Sequence, residues 1–261
     1  MTMGDELFLL AVGTGRRHPR IRSDNRLRIA LRAAELAELC LVGRIALGVR
    51  HIEILDSGPV EDRRLNNVLR DLARTAPPPS FHDWLRLTPQ SVVTEYFSRL
   101  DDQKVLRSRR RRDPAGYTRH EVVSVDAARR QGVLDRLDAV ARSGPGTPPA
   151  DPRDLALAVL VGVADIAPAV YPGVRGSSAR RRLAALTTSE GTALLASAQA
   201  VAPRAGGSAG LPSAVQSVMP GRQLAKQLTK LYSDVTTGDS GLAHGLDSGG
   251  WSGGGSDGGN D

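Results

Sequence analysis

Arginine is the residue type with the most chemistry to offer in this chain, and its placement is patterned. Between Asn25 and Val42 the sequence NRLRIALRAAELAELCLV carries Arg28, Arg32, Glu35 and Glu38, at intervals of four, three and three. On a helix these positions fall on one line, while Leu, Ala, Ile, Val and Cys fill nearly all the remaining circumference. A guanidinium presents a planar fork of donors that matches phosphate or carboxylate oxygens in pairs. Two outcomes are open for Arg32. An i,i+3 pair with Glu35 would neutralise a buried stripe, whereas a guanidinium turned outward would clamp an incoming anion. The preceding loop favours the second. It holds Arg16, Arg17, His18, Arg20 and Arg22, and it leads into a helix start, where backbone N–H groups without intrahelical partners attract anions.

A second basic run, Lys104 to Arg112, has six cations in nine positions. It reads as a solvated hairpin arm, as a surface attracted to phosphate, or as the wing of a DNA-binding module. In the third case the preceding helix would read the groove. Its outward positions, Ser91, Thr94, Glu95, Ser98, Asp101 and Asp102, include three carboxylates that would repel a phosphate backbone. Nucleic acid is therefore disfavoured as a partner.

Other chemistries find little support. His18, His51, His82, His120 and His244 are scattered and form no metal-ligand spacing. No GxSxG, phosphate-binding loop or dinucleotide-binding glycine motif occurs, so neither an enzyme nor a cofactor or metal is expected. Cys40 is the single cysteine, which excludes an intrachain disulfide and reads as a small buried hydrophobe.

Composition sets the outer limits. The formal net charge is +7, which favours phosphate-rich partners, although coding bias is a rival cause because only Lys104, Lys226 and Lys230 are lysines. Aromatic residues make up 3% of the chain, too few for a base-stacking surface. The start of the chain carries Asp5 and Glu6 rather than a basic leader, and the longest apolar stretch, Leu155 to Ala164, falls short of the ~18 residues that span a bilayer. A cytoplasmic protein with peripheral membrane association is expected.

These residues need a scaffold. Periodicity predicts an apolar element at Glu6–Val12, the central helix Asn25–Val42, and a hairpin from Arg44 to Leu55. Helices follow at Glu61–Ala73 and around Trp84-Leu85, with another opened by Thr88-Pro89 and running to Asp102. A second hairpin spans Lys104 to Val125. Helices at Asp126–Arg142 and from Asp151 to Asp165 come next, then Ser178–Leu186 and Ser189–Val201. The fold class is mainly α: a helical bundle core surrounded by amphipathic helices, with two β-hairpins. Residues 1–202 form one helical domain. Residues 203–237 are expected to be poorly ordered with one amphipathic helix, and 238–261 to be a disordered Gly-rich tail.

Five segments, in order, resemble the Golgi phosphoprotein 3 family. They are Glu6-Leu7-Phe8-Leu9-Leu10; Leu31 to Leu39 running into Gly43-Arg44-Ile45; Asp83-Trp84-Leu85; Leu100 to Leu106; and Leu155 to Leu160 leading to Asp165. The chain is similar to a prokaryotic member over residues 3–202. The resemblance implies a helical fold with a projecting hairpin used in self-association. It also implies a non-enzymatic role, the binding of phosphatidylinositol 4-phosphate through a basic pocket at a membrane surface. The family's pocket arginine matches Arg32. Its pocket tryptophan falls at Ser23, and its further arginine pair near Gln90 and Val93. With one of four positions retained, the expected lipid-binding residues are Arg32, Arg28, Arg22 and Arg20, and the expected partner is an anionic phospholipid head group. Homo-oligomerisation through Arg44 to Leu55 is expected alongside. The alternatives are a protein-interaction scaffold without lipid binding and a winged-helix-like DNA binder.

Overall fold

The computed structural model describes residues 1–12, 24–48, 50–112, 118–142 and 151–186. Arg20, Arg22 and Ser23 lie outside them, as do the sequence-predicted helix Ser189–Val201 and the segments 203–237 and 238–261. Among the described residues are nine helices and two antiparallel hairpins, so the fold is mainly α.

Two helices form the centre. The first, α1 (Met3–Ala11), is buried along its whole length and is closed by a reciprocal cap between Thr2 and Asp5. The second, α2 (Asp24–Leu41), carries the arginine stripe. Leu27, Ile29, Ala30, Leu31, Ala33, Ala34, Leu36, Ala37, Leu39 and Cys40 are all buried, and burial pushes the Cys40 thiol up to about 12. The helix ends at Gly43, whose φ of 72° is the left-handed turn that glycine adopts without strain.

The chain then forms the hairpin β1 (Ile45–Leu47) and β2 (Ile52–Ile54), with Ala46 opposite Glu53. Helix α3 (Arg63–Arg74) packs Leu65, Val68, Leu69 and Leu72 inward, and Asp62 caps it by accepting from the backbone of Arg64 and Leu65. The short α4 (Phe81–Arg86) buries Phe81, Trp84 and Leu85.

The next helix, α5 (Ser91–Asp102), corrects the sequence reading. Thr88 does not cap it. Thr88 is buried and its hydroxyl donates to the Leu85 carbonyl at 2.6 Å, closing α4 instead, and α5 begins after Gln90 with no side-chain cap. The long hairpin β3 (Leu106–Arg112) and β4 (Thr118–Val125) follows, its register running from Leu106 opposite Val125 to Arg112 opposite Thr118. Helices α6 (Ala127–Arg142) and α7 (Pro152–Val163) complete the bundle with α8 (Ala167–Val170) and α9 (Ser177–Leu186). Helix α8 is a single turn that periodicity does not reveal.

Helix α1 packs on α2, α5, α6, α7 and α8, and its own carboxylates anchor the outer layer. Asp5 receives Arg99 of α5 at 2.9 Å, and Glu6 receives Arg136 of α6 at 2.7 Å and Arg153 of α7 at 2.8 Å. Arg153 also reaches Glu38 of α2 at 3.2 Å. Buried acids in an apolar helix need paired cations, here supplied by α5, α6 and α7, so the bundle is tied at its centre by charge as well as by packing.

Candidate functional site

The arginine stripe emerges where α2 meets α4 and the start of α5. Arg32 is nearly enclosed, its side chain 11% exposed. Its Nη1 donates to Glu35 Oε2 at 2.9 Å, and its guanidinium lies over the Trp84 ring, 4.4 Å from the centroid. The pair with Glu35 considered from the sequence is therefore formed. Glu35 is fully buried and does not depend on Arg32 alone: its Oε1 accepts from Arg64 Nε and from the Tyr96 hydroxyl at 3.2 Å. Burial opposes the charge on Arg64, but Glu35, Tyr96 and Glu95 outweigh it and raise the Arg64 pKa. Tyr96, wholly buried and beside Glu35, is pushed well above its ordinary value.

Arg28 is held differently. Its Nη1 donates to the Thr88 carbonyl at 2.8 Å and its Nη2 to the amide oxygen of Asn25. Both acceptors are neutral, and burial lowers the Arg28 pKa. Arg28 thus brings a cation to the α4–α5 connection that these two bonds do not neutralise.

Three further donors belong to this region. The Nε–H groups of Arg28 and Arg32, one helical turn apart on α2, and the indole N–H of Trp84 are buried and make no well-aligned hydrogen bond among the described residues. Buried donors without acceptors are costly. A group rich in acceptor oxygens, such as phosphate, is their natural complement. Arg26, next on the helix, pairs with Asp165 at 3.4 Å.

A family model for Golgi phosphoprotein 3 (GPP34) matches residues 3–205. The chain belongs to this family. Comparison with functionally characterised proteins finds none that matches. In this Golgi phosphoprotein 3 family member, Arg32, which the resemblance leads one to expect at a head-group pocket, lies at the junction of α2 and α4. Gln90 is exposed at the start of α5, and Val93, half-buried, packs against the core. Trp84 enters the sequence reading as part of a short helix and of a family motif, but not as a site residue. Its stacking on Arg32 was not legible there, because 52 residues separate the two and no periodicity links separate helices. The carboxylates Asp5 and Glu6 likewise read from sequence as polar residues near the chain start, whereas they are the buried anchors of α1.

The basic run on β3 is largely presented outward: Arg107, Arg109, Arg110 and Arg112 are exposed. Ser108 faces back toward the body, donating to Asp101 at 2.9 Å. No helix among the described residues is long and apolar enough to cross a membrane, and no cluster of potential metal ligands occurs among them.

Proposed function

We propose that this protein is a non-enzymatic adaptor that recognises anionic phospholipid, of the phosphatidylinositol 4-phosphate type, at a membrane surface from the cytoplasmic side. The observation that carries the reading is the guanidinium of Arg28, bonded only to neutral acceptors among the described residues, with Arg28 Nε, Arg32 Nε and Trp84 Nε1 as buried donors that make no well-aligned bond among those residues. Membership of the Golgi phosphoprotein 3 family supports it, as does the exposed arginine arm of β3, which supplies long-range attraction worth ~1 kcal/mol per cation near an anionic surface. Arg20 and Arg22 are proposed to contribute in the same way.

Arg32 enters this reading as a guanidinium that can be withdrawn. Glu35 keeps two donors when Arg32 turns to a ligand, so the exchange does not strand a buried carboxylate. Self-association through Arg44 to Leu55 is proposed as a second interaction. Val42, Ile54 and Leu55 are exposed apolar side chains in and beside that hairpin, which favours a contact there.

The test is co-sedimentation with vesicles of phosphatidylcholine, alone or carrying phosphatidylinositol 4-phosphate or phosphatidylglycerol, over a salt series with a DNA control. Binding to the anionic vesicles that survives physiological salt, and falls on Arg28→Ala, is the expected result. Equal retention on neutral and anionic vesicles, or DNA binding that outlasts lipid binding as salt rises, refutes the proposal.

A further inference from the structure

The connection between α4 and α5 has an unusual surface for a charged protein. Leu87 is 72% exposed, and Pro89 and Gln90 beside it are exposed without any carboxylate between Arg86 and Ser91. Exposed Arg86 lies on one side, and Arg28 reaches the connection from α2 through the Thr88 carbonyl. The tip is not slack. Thr88 is buried between its two apolar neighbours, its hydroxyl and its N–H both donating to the Leu85 carbonyl, while the Leu87 N–H donates to Asp83 at 3.0 Å. A rigid backbone therefore holds a leucine and a proline out in water directly beside the cationic cluster.

A single exposed leucine is ordinary on a protein surface. An apolar tip flanked by guanidinium groups and next to buried unsatisfied donors is more informative, because it matches the layered chemistry of a bilayer interface. Cations meet head-group phosphates there while short apolar side chains reach the acyl boundary. A free phosphate would use the arginines and leave Leu87 in water, and a nucleic-acid backbone would do the same. We infer that Leu87, with Pro89, enters the lipid surface while Arg28 and Arg32 hold the head group, so that the site is selective for phosphate presented by a membrane. This inference rests on the proposed lipid recognition and adds to it the depth and the contacting residue.

The experiment uses the full chain with Leu87→Ser and Leu87→Trp. Because the side chain is exposed, neither is expected to disturb the fold, and an unchanged thermal midpoint checks this. The probes are phosphatidylcholine–phosphatidylglycerol vesicles and inorganic phosphate. Leu87→Ser is expected to bind vesicles about three- to tenfold more weakly, in line with the loss of one partly buried leucine, while thermal protection by inorganic phosphate is unchanged. Leu87→Trp is expected to gain blue-shifted emission on the vesicles and to be quenched by spin labels on the acyl chains. Unaltered vesicle binding by Leu87→Ser, with no quenching in Leu87→Trp, overturns the inference while leaving head-group recognition intact if Arg28→Ala still loses binding. Equal loss of vesicle and phosphate binding also overturns it. So does loss of a concentration-dependent dimer with vesicle binding preserved, which assigns Leu87 to a second copy of the chain. Failure of the parent protein to bind anionic vesicles at low salt refutes the lipid reading itself.

Discussion

Arg28 and Arg32 sit one turn apart on the same helix, yet their substitution by alanine is expected to rank in opposite order for stability and for the proposed lipid binding. Arg32→Ala removes a hydrogen-bonded ion pair with fully buried Glu35 and the stacking on Trp84. A hydrogen bond to a charged group contributes about 1.5–3 kcal/mol and a partly desolvated cation–π contact about 0.5–2 kcal/mol. The larger penalty for an abandoned buried charge does not apply, since Arg64 and Tyr96 remain on Glu35. Arg32→Ala is therefore expected to cost roughly 2–4 kcal/mol, a drop in thermal midpoint of about 5–15 °C for a domain of this size.

Arg28→Ala gives up bonds to one carbonyl and one amide, together worth about 1–3 kcal/mol, but it also removes a guanidinium whose charge burial disfavours, so the net cost is expected to be about 1 kcal/mol. For anionic lipid the order reverses. Arg28 has no carboxylate to leave among the described residues, so under the proposed lipid recognition its contact with a head group would be nearly all gain, about tenfold or more in affinity. Arg32 must exchange Glu35 for the ligand, and its loss is expected to weaken binding by only a few-fold. Thermal melts and vesicle titrations on the two variants measure both quantities. A stability loss for Arg28→Ala that exceeds that of Arg32→Ala, or a larger binding defect for Arg32→Ala, would contradict these roles.

The same network supports further predictions. Gly4→Ala is expected to destabilise by about 1–3 kcal/mol, because a Cβ at Gly4 would lie 2.1 Å from the Tyr96 hydroxyl that bonds Glu35; an unchanged denaturant midpoint would contradict this. Burial works against the Asp62 charge, but Arg99 and the α3 backbone N–H groups outweigh it and lower its pKa. Asp62 therefore contributes stability that is present above its unfolded value of about 4 and is lost as pH falls through the lower folded value. Asp62→Asn should flatten the acid limb of a stability–pH curve, and parallel limbs would remove that assignment. Replacing Arg107, Arg110 and Arg112 together by Ser should reduce the salt dependence of vesicle binding while leaving the melting curve unchanged, since these side chains are exposed. An unaltered salt slope would show that the β3 arm takes no part.

Most of the scaffold was legible because helices and hairpins are local. The spacing of Leu65, Val68, Leu69 and Leu72 marks the buried face of α3, and Asp151-Pro152 marks the start of α7. Where local signals compete, they mislead: Thr88-Pro89 resembles a helix start, but Thr88 is drawn into the core and bonds backward to Leu85. The arginine stripe was legible for the same reason as the helices, and so was the choice open to Arg32. Its resolution was not.

Which side chains share a helical line follows from their order in the chain, because a turn of helix brings residues three and four apart together whatever surrounds them. That order therefore placed Arg28, Arg32, Glu35 and Glu38 on one seam. Tertiary structure alone decided what each meets. Packing of α4 set Trp84 on Arg32, α3 and α5 brought Arg64 and Tyr96 to Glu35, and the α4–α5 connection gave Arg28 a carbonyl in place of a carboxylate. A buried charge is defined by its nearest counter-groups, and here most of those come from elements distant in the chain.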